Sequence, residues 1–196
     1  MSNDSAKNGG ISDAEVVELA LREQAFFAYI IDRYEAKLDR YIRRLGVRDE
    51  EDRVDVLQDI FIKVYRNLNG FDTSLPFSSW IYRIAHNEAV SWYRKRNVRP
   101  EGHLVIDSDD VLNFISAKQD TSEEIFDKSI NAEQLSVALG KIDEKYRAVL
   151  LLRYFEHKDY NEISDILQIP TGSVGTLLHR GKQALRDVLN PDAVRM

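Results

Sequence analysis

The sequence predicts an all-α protein: two small helical bundles joined by a flexible acidic linker. Three observations predict it. Apolar residues recur at spacings of three and four along most of the chain, with no convincing alternating strand and no internal repeat. That periodicity weakens in the stretch between Glu101 and Lys128, where eight acids (Glu101, Asp107, Asp109, Asp110, Asp120, Glu123, Glu124 and Asp127) face only Lys118 and Lys128, a net charge of −6. Capping residues and glycines divide the remainder into segments short enough for bundles. The expected organisation is a polar N-terminus over 1–11, a first bundle over 12–97, the linker over 98–120, a second bundle over 121–190 and a tail over 191–196.

The first helical stretch starts at Ser12, where Ser12-x-x-Glu15 has the form of a capping box. Val16, Leu19 and Ala20, then Phe27, Ile30, Tyr34, Leu38, Tyr41 and Leu45, form its apolar stripe. The stretch is long enough for two helices broken near Arg22, and Gly46 supplies a stop. A helix from Glu50 to Leu68 turns Val54, Leu57, Phe61, Val64 and Leu68 inward and ends at Gly70. Phe71 to Pro76 reads as a loop, and a helix follows from Phe77 to Arg96, carrying Trp80, Ile81, Ile84, Ala85 and Trp92.

Beyond the acidic segment helical order returns at Thr121, with Thr121-x-x-Glu124 as a cap. Leu135, Leu139 and Ile142 follow, then Tyr146, Val149, Leu150 and Tyr154; five or six short helices are expected after the linker. Asp159-x-x-Glu162 caps a short helix through Leu167, Pro170 and Gly172 punctuate a turn, and a last helix runs to Leu189.

Composition narrows the function classes. With no cysteine among 196 residues there is no disulfide scaffold and no thiolate metal site. The four histidines (His86, His103, His157 and His179) are scattered, without HExxH spacing, so neither a metal nor another cofactor is expected, nor an enzyme active site. The N-terminal MSNDSAKNGG is polar and no apolar window reaches the length of a membrane span, which points to the cytoplasm and no direct membrane insertion. An acidic chain is ordinarily a poor candidate for nucleic acid. Here the excess acid sits in one segment, and the rest balances at 25 basic and 25 acidic residues.

Asp159 to Leu189 has the pattern of a helix-turn-helix. Ile163, Ile166, Leu167, Ile169, Val174, Leu177, Leu178 and Leu185 supply the small core that two crossed helices need, and Gln168 to Thr171 is the turn. The second helix of such a motif enters the major groove with its N-terminal end toward base edges. Here that end offers Thr171, Ser173 and Thr176, while His179, Arg180, Lys182 and Arg186 follow at reach of phosphates. Thr171 to Arg186 is +3 without an acid, as attraction to a polyanion requires. An ordinary helical hairpin with surface charge is the plainer reading of the periodicity.

The segment SWIYRIAHNEAVSWYRKRNVR interleaves Trp80, Tyr82, Trp92 and Tyr93 with Arg94, Lys95, Arg96 and Arg99. Rings that stack on bases beside cations that follow the backbone are what single-strand binding uses. The structural alternative is that the rings are core and the cations complement the helix dipole. Trp80 reads as core; Tyr82, Trp92 and Tyr93 are open.

Together these segments resemble the extracytoplasmic-function (ECF) group of bacterial sigma-70 factors. DVLQDIFIKVYRNL, the loop FDTSLPFSSW and IYRIAHNEAVSWYRKR are similar to the family's region 2, and LGKIDEKYRAVLLLRYFEHKDYNEISDILQIPTGSVGTLLHRGKQALR to region 4, over roughly Ala25 to Leu189. The resemblance implies core RNA polymerase and promoter DNA as partners, with an anti-sigma factor as inhibitor. It implies polymerase binding at Asp55, Gln58, Asp59, Phe61 and Lys63. It implies minus-ten element contacts in the loop Asn69 to Phe77 (Asn69, Phe71, Asp72 and Phe77) and at Arg83, Asn87, Arg94, Lys95 and Arg96. For the minus-thirty-five element it implies Ser173, Thr176, Arg180 and Lys182, to which the helix-turn-helix reading adds Thr171 and His179. Solubility alone would account for the acidic linker; the resemblance implies instead a linker threaded through the polymerase channel that nascent RNA later occupies, where Asp107, Asp109 and Asp110 would sit in place of RNA, with Val111, Leu112, Phe114 and Ile115 as anchors. Gly175, Thr176 and Leu177 stand where many relatives carry Lys-Ser-Arg, Gln168 where a turn glycine is usual, and Ser91 where Asp is frequent. The rival expectation is a stand-alone helix-turn-helix regulator, which would bind duplex DNA without polymerase.

Overall fold

The computed structural model describes residues 11–96, Ile106, Phe114 and residues 131–190. The described residues are helical apart from caps, turns and short connections, as the sequence predicts.

Helix α1, Asp13–Arg22, opens on the reciprocal capping box: Ser12 accepts from the Glu15 amide, and the Glu15 carboxylate accepts from the Ser12 amide at 2.6 Å. A 3₁₀ turn, Gln24–Phe26, leads into α2, Phe27–Leu45. Gly46 ends α2 at φ 117°, a left-handed conformation that a side chain would strain, and its amide closes on Arg43 and Ile42 carbonyls. Helix α3, Glu50–Asn67, is capped by Asp49 and carries three acids in its first turn, complementing the helix dipole. A 3₁₀ turn, Leu68–Gly70, and a short loop lead to α4, Phe77–Arg96. Ile30, Leu38, Tyr41 and Ile42 of α2 meet Ile60 and Val64 of α3 and Ile81, Ala85 and Ala89 of α4 in a core closed to solvent.

Four further helices lie among the described residues: α5 Ala132–Lys141, α6 Glu144–Tyr154, α7 Tyr160–Leu167 and α8 Thr171–Leu189. Asn131, Asp143 and Asp159 cap the first three with their side chains. Helix α8 already includes Gly172, so the turn is confined to Gln168–Pro170, with Gln168 itself in the left-handed region at φ 54°. Helix α6 is the axis of this bundle. Where periodicity places a stripe inward, the structure buries the whole run Ala148–Leu152, because α6 has α7, α8 and, from the first bundle, α2 around it. Gly181 lets α8 approach: a Cβ there would stand 3.3 Å from Leu150 and Tyr146.

One expectation changes. Val54 is 58% exposed, not inward. The closed core takes Val56, Leu57, Ile60, Phe61 and Val64, and the outer edges of Leu57 and Phe61 join Val54 in lining a groove between α2 and α3. The two bundles are also packed together, α4 against α7 and α2 against α6. The Thr121-x-x-Glu124 cap and Asp107, Asp109, Asp110, Val111, Leu112 and Ile115 lie outside the described residues. Phe114 does not: it is buried, its ring 5.0 Å from that of Tyr154 and 5.9 Å from that of Phe155. Here its apolar anchor is the chain's own second bundle.

Candidate nucleic-acid interface

The helix-turn-helix is built by local hydrogen bonds. The Asp159 and Glu162 side chains cap α7 reciprocally. Ser164 donates to the Ile169 carbonyl at 2.6 Å and accepts from the Thr171 hydroxyl at 3.1 Å, and the Gln168 amide donates to the Asp165 carbonyl at 2.7 Å. Thus Gln168 tolerates its left-handed backbone partly because its side chain ties down the end of α7. Val174, Leu178 and Leu185 of α8 are buried, as are Ile163 and Ile166 of α7. That orientation leaves Thr171, Thr176, His179 and Arg180 exposed and Ser173 and Lys182 half-buried. All six residues expected at the upstream element therefore lie on one helix. Thr171 is engaged within the turn, and Lys182 lies 5.9 Å from the Tyr154 ring centre.

In the first bundle the expected strand-binding residues divide. Asn69, Asp72, Asn87, Arg94 and Lys95 are exposed, Arg83 is half-buried, and Arg96 is the last residue of α4. Phe71 and Phe77 are instead buried, packed edge to face 5.4 Å apart, with Phe77 also against Tyr34 and both against Trp80. In this conformation they shape the loop from below, and its exposed side chains are those of Asp72, Thr73, Ser74, Leu75 and Pro76. The Asp72 carboxylate accepts from the Ser74 amide at 2.9 Å, which holds the turn; the Ser74 side chain first, and then this amide, keep that carboxyl below its ordinary pKa. The open aromatic positions also resolve. Tyr82 and Tyr93 are buried, Tyr93 donating to the Leu45 carbonyl at 2.7 Å, while Trp80 and Trp92 are half-buried.

His86 lies behind this face. Its Nδ1 is 3.1 Å from the Tyr41 hydroxyl, and burial pushes the imidazole down to about 4. Its ordinary value is near 6.5, so between those values the unfolded chain takes up a proton that the folded chain refuses. Stability is therefore complete above about pH 6.5 and falls with acidification towards 4. From pH 7 to pH 5 this group alone should cost about 2 kcal/mol. Thermal unfolding of wild type and His86→Gln at both pH values checks it: the variant should lose less stability on acidification, and equal losses would remove His86 as the cause.

Of the expected polymerase contacts, Asp55, Gln58 and Asp59 are exposed on α3. Phe61 is 9% exposed and lines the α2–α3 groove with Phe27, Ile31 and Leu57. Lys63 is engaged, its ammonium bonded to the buried Glu88 of α4. The exposed Val54, Ile62 and Tyr65 rim the groove, a contiguous apolar surface that sequence reading missed.

A second feature missed in the sequence joins the bundles. The Glu156 carboxylate accepts from Arg44 of α2 at 2.6 Å and from the Tyr82 hydroxyl of α4 at 2.7 Å. The available signal was Arg44 itself, a charge three residues after Tyr41 on the apolar stripe of α2. Among the described residues there is no cluster suited to a metal ion, and no helix is long and apolar enough to cross a membrane.

Residues 30–99 match the sigma-70 region 2 family and residues 132–185 the sigma-70 region 4 family. The chain is 32% identical over 174 residues to the ECF RNA polymerase sigma factor SigW of Bacillus subtilis, covering 85% of this chain and 90% of that protein. It is 28% identical over 186 residues to the ECF sigma-E factor of Escherichia coli K12, covering 92% and 96%. The solved structure of CnrH in complex with the cytosolic domain of CnrY has a similar fold, with a TM-score of 0.67 at 23% identity over 92% of this chain and 98% of that one. So does the sigma factor RpoE, solved in complex with the anti-sigma factor NepR from Bartonella quintana, with a TM-score of 0.59 at 18% identity over 85% and 98%.

Proposed function

The chain belongs to the extracytoplasmic-function group of the sigma-70 family of RNA polymerase sigma factors, and on that premise we propose how its surfaces share the work of initiation. The unit over 12–97 docks on core polymerase through Asp55, Gln58 and Asp59 and holds the separated minus-ten strand. Asp72 and its neighbours take an unstacked base there, and Asn87 and the basic end of α4 follow the backbone. The unit over 121–190 reads the minus-thirty-five duplex through α8. The observation that carries this assignment is the acid-free stretch of α8 from Thr171 to Arg186, with Thr176, His179 and Arg180 exposed, on the same chain as the exposed cations Arg94 and Lys95 at the end of α4. Acting with polymerase and DNA, the protein works in the cytoplasm. The apolar groove of α2 and α3 suits a helix of a protein partner, and an anti-sigma factor covering the docking face would compete there with polymerase. The anti-sigma complexes of the similar folds support that reading.

Promoter-directed transcription by core polymerase with and without the protein tests the assignment. Specific initiation should need both, and the protein alone should footprint no promoter. Tight duplex binding by the free chain would favour the stand-alone regulator.

The glycines of α8 make a separable prediction. A Cβ at Gly172 meets nothing within 4 Å, and one at Gly175 meets only the Tyr160 ring at an ordinary 3.5 Å. Glycine inside a helix costs roughly 0.5–1 kcal/mol relative to alanine, so Gly175→Ala should raise thermal stability by about that much. If the backbone there lies against DNA in the holoenzyme, the same change should weaken upstream-element binding. A variant that is more stable and binds as tightly as wild type would place the duplex elsewhere on α8.

A further inference from the structure

We propose that a buried charge cluster centred on Glu156 specifies a closed arrangement of the free chain, and that this latch must open before the two promoter-binding units can act together. Glu156 lies in the short connection between α6 and α7, where the amides of Glu156 and Lys158 bond back to the Leu151 and Leu152 carbonyls. His157 between them takes a left-handed conformation at φ 52°, uncommon for a residue other than glycine. The turn so formed aims Glu156 at the other bundle. One carboxylate oxygen accepts from Arg44 and the other from Tyr82, with the Arg44 and Glu156 side chains only 5% and 6% exposed. Two residues on, Lys158 is also buried. Its ammonium bonds to Ser78 at the start of α4 and to Glu162 at 3.1 Å, and it stands 4.7 Å from the Tyr82 ring centre. Arg44 in addition lies 5.5 Å from the ring centre of Phe155, the ring on which Phe114 stacks.

Burying an ion pair costs nearly as much desolvation as its attraction returns. A cluster of this kind therefore specifies the closed arrangement without locking it, since every member regains water when the bundles part. A partner that binds the open form more tightly can then shift the balance. Opening is required by geometry. The two promoter elements lie some 25 base pairs apart, about 85 Å along B-form DNA. A globule of this size is roughly 40 Å across. Closure also lays α7 on α4 and sets Asp165 4.0 Å from Arg83, one of the residues assigned to the strand.

Removing one member of the pair leaves its partner charged and buried in the closed form only. Glu156→Gln and Arg44→Met should each shift the balance towards the open form by roughly a hundredfold. Combining Arg44→Met with Glu156→Leu removes both charges and should restore closure. Because the chain has no cysteine, Ala36→Cys and Gln183→Cys on exposed positions of the two bundles allow a dye pair without further changes. Energy transfer in the full-length chain should show a short distance for wild type and the double variant and a long one for each single variant, with helical content unchanged by circular dichroism. A long distance in wild type, or a short one in both single variants, overturns the latch. A DNA measurement rests on the assignment of α4 above: affinity for a single-stranded minus-ten oligonucleotide should rise at least tenfold in the single variants. If the distance lengthens and affinity does not change, the latch stands and the assignment of Arg83 fails.

Discussion

Asp59→Arg should weaken assembly with core polymerase at least tenfold and leave the free protein folded. Asp55, Gln58 and Asp59 are spaced by three and four residues or adjacent, so they share one side of α3, and all three are exposed. The opposite side of the same helix is occupied by Val56, Ile60 and Val64 in the core, so a charge reversal at Asp59 touches no packing. A like charge placed where a partner offers a cation adds repulsion to the lost attraction, and close charge pairs at interfaces couple by about 1.5–7 kcal/mol. Titration of labelled variant with core polymerase measures the loss, and thermal unfolding confirms the fold. Undiminished assembly would take this face out of the polymerase contact. Lys63→Ala should behave differently. Its ammonium pairs with Glu88, which is 8% exposed, so its loss leaves a buried carboxylate uncompensated and should destabilise the free chain.

Replacing Arg94, Lys95 and Arg96 together by alanine should leave assembly intact and largely abolish strand separation. Arg94 and Lys95 are exposed at the end of α4, so losing these two removes cations without opening the core, and Arg96 is the last residue of the helix. Each phosphate contact on a single strand contributes about 0.7 to the slope of log affinity against log salt. Three lost contacts should flatten that slope by about 2 and cost one to two orders of magnitude in single-strand affinity at low salt. Permanganate reactivity of unpaired thymines in the promoter complex reads melting directly. Normal melting with an unchanged salt slope would return these residues to the role of helix-dipole partners.

Both experiments use residues that were legible in the sequence, because the information that positions them is local. A helix start needs a side chain three residues from an amide, and Ser12, Asp159 and Glu162 declare it. A helix stop needs a residue that accepts positive φ, and Gly46 supplies it. The start of α7 in the helix-turn-helix follows from the same short-range rule. Residues on the solvent side of such helices, Asp59 and Arg180 among them, are exposed wherever the helix is laid.

What lies between elements was decided only in the tertiary structure. Periodicity could not set Val54 apart, since it repeats in step with Leu57 and Phe61, which are buried, while Val54 stands on the open rim of the groove. Only the placement of α2 chooses. Phe71 and Phe77 gave no sign that they would pack under their loop instead of facing a base. The meeting of Arg44 with Glu156 spans 112 residues, and no local rule announces a charge that becomes affordable inside only when its partner arrives from the other bundle. The sequence by itself determined the helices, their ends and the outward-facing chemistry of a sigma factor. The tertiary structure alone determined which apolar face is left open and how the bundles close, because the burial of a side chain depends on what packs over it and not on its neighbours in the chain.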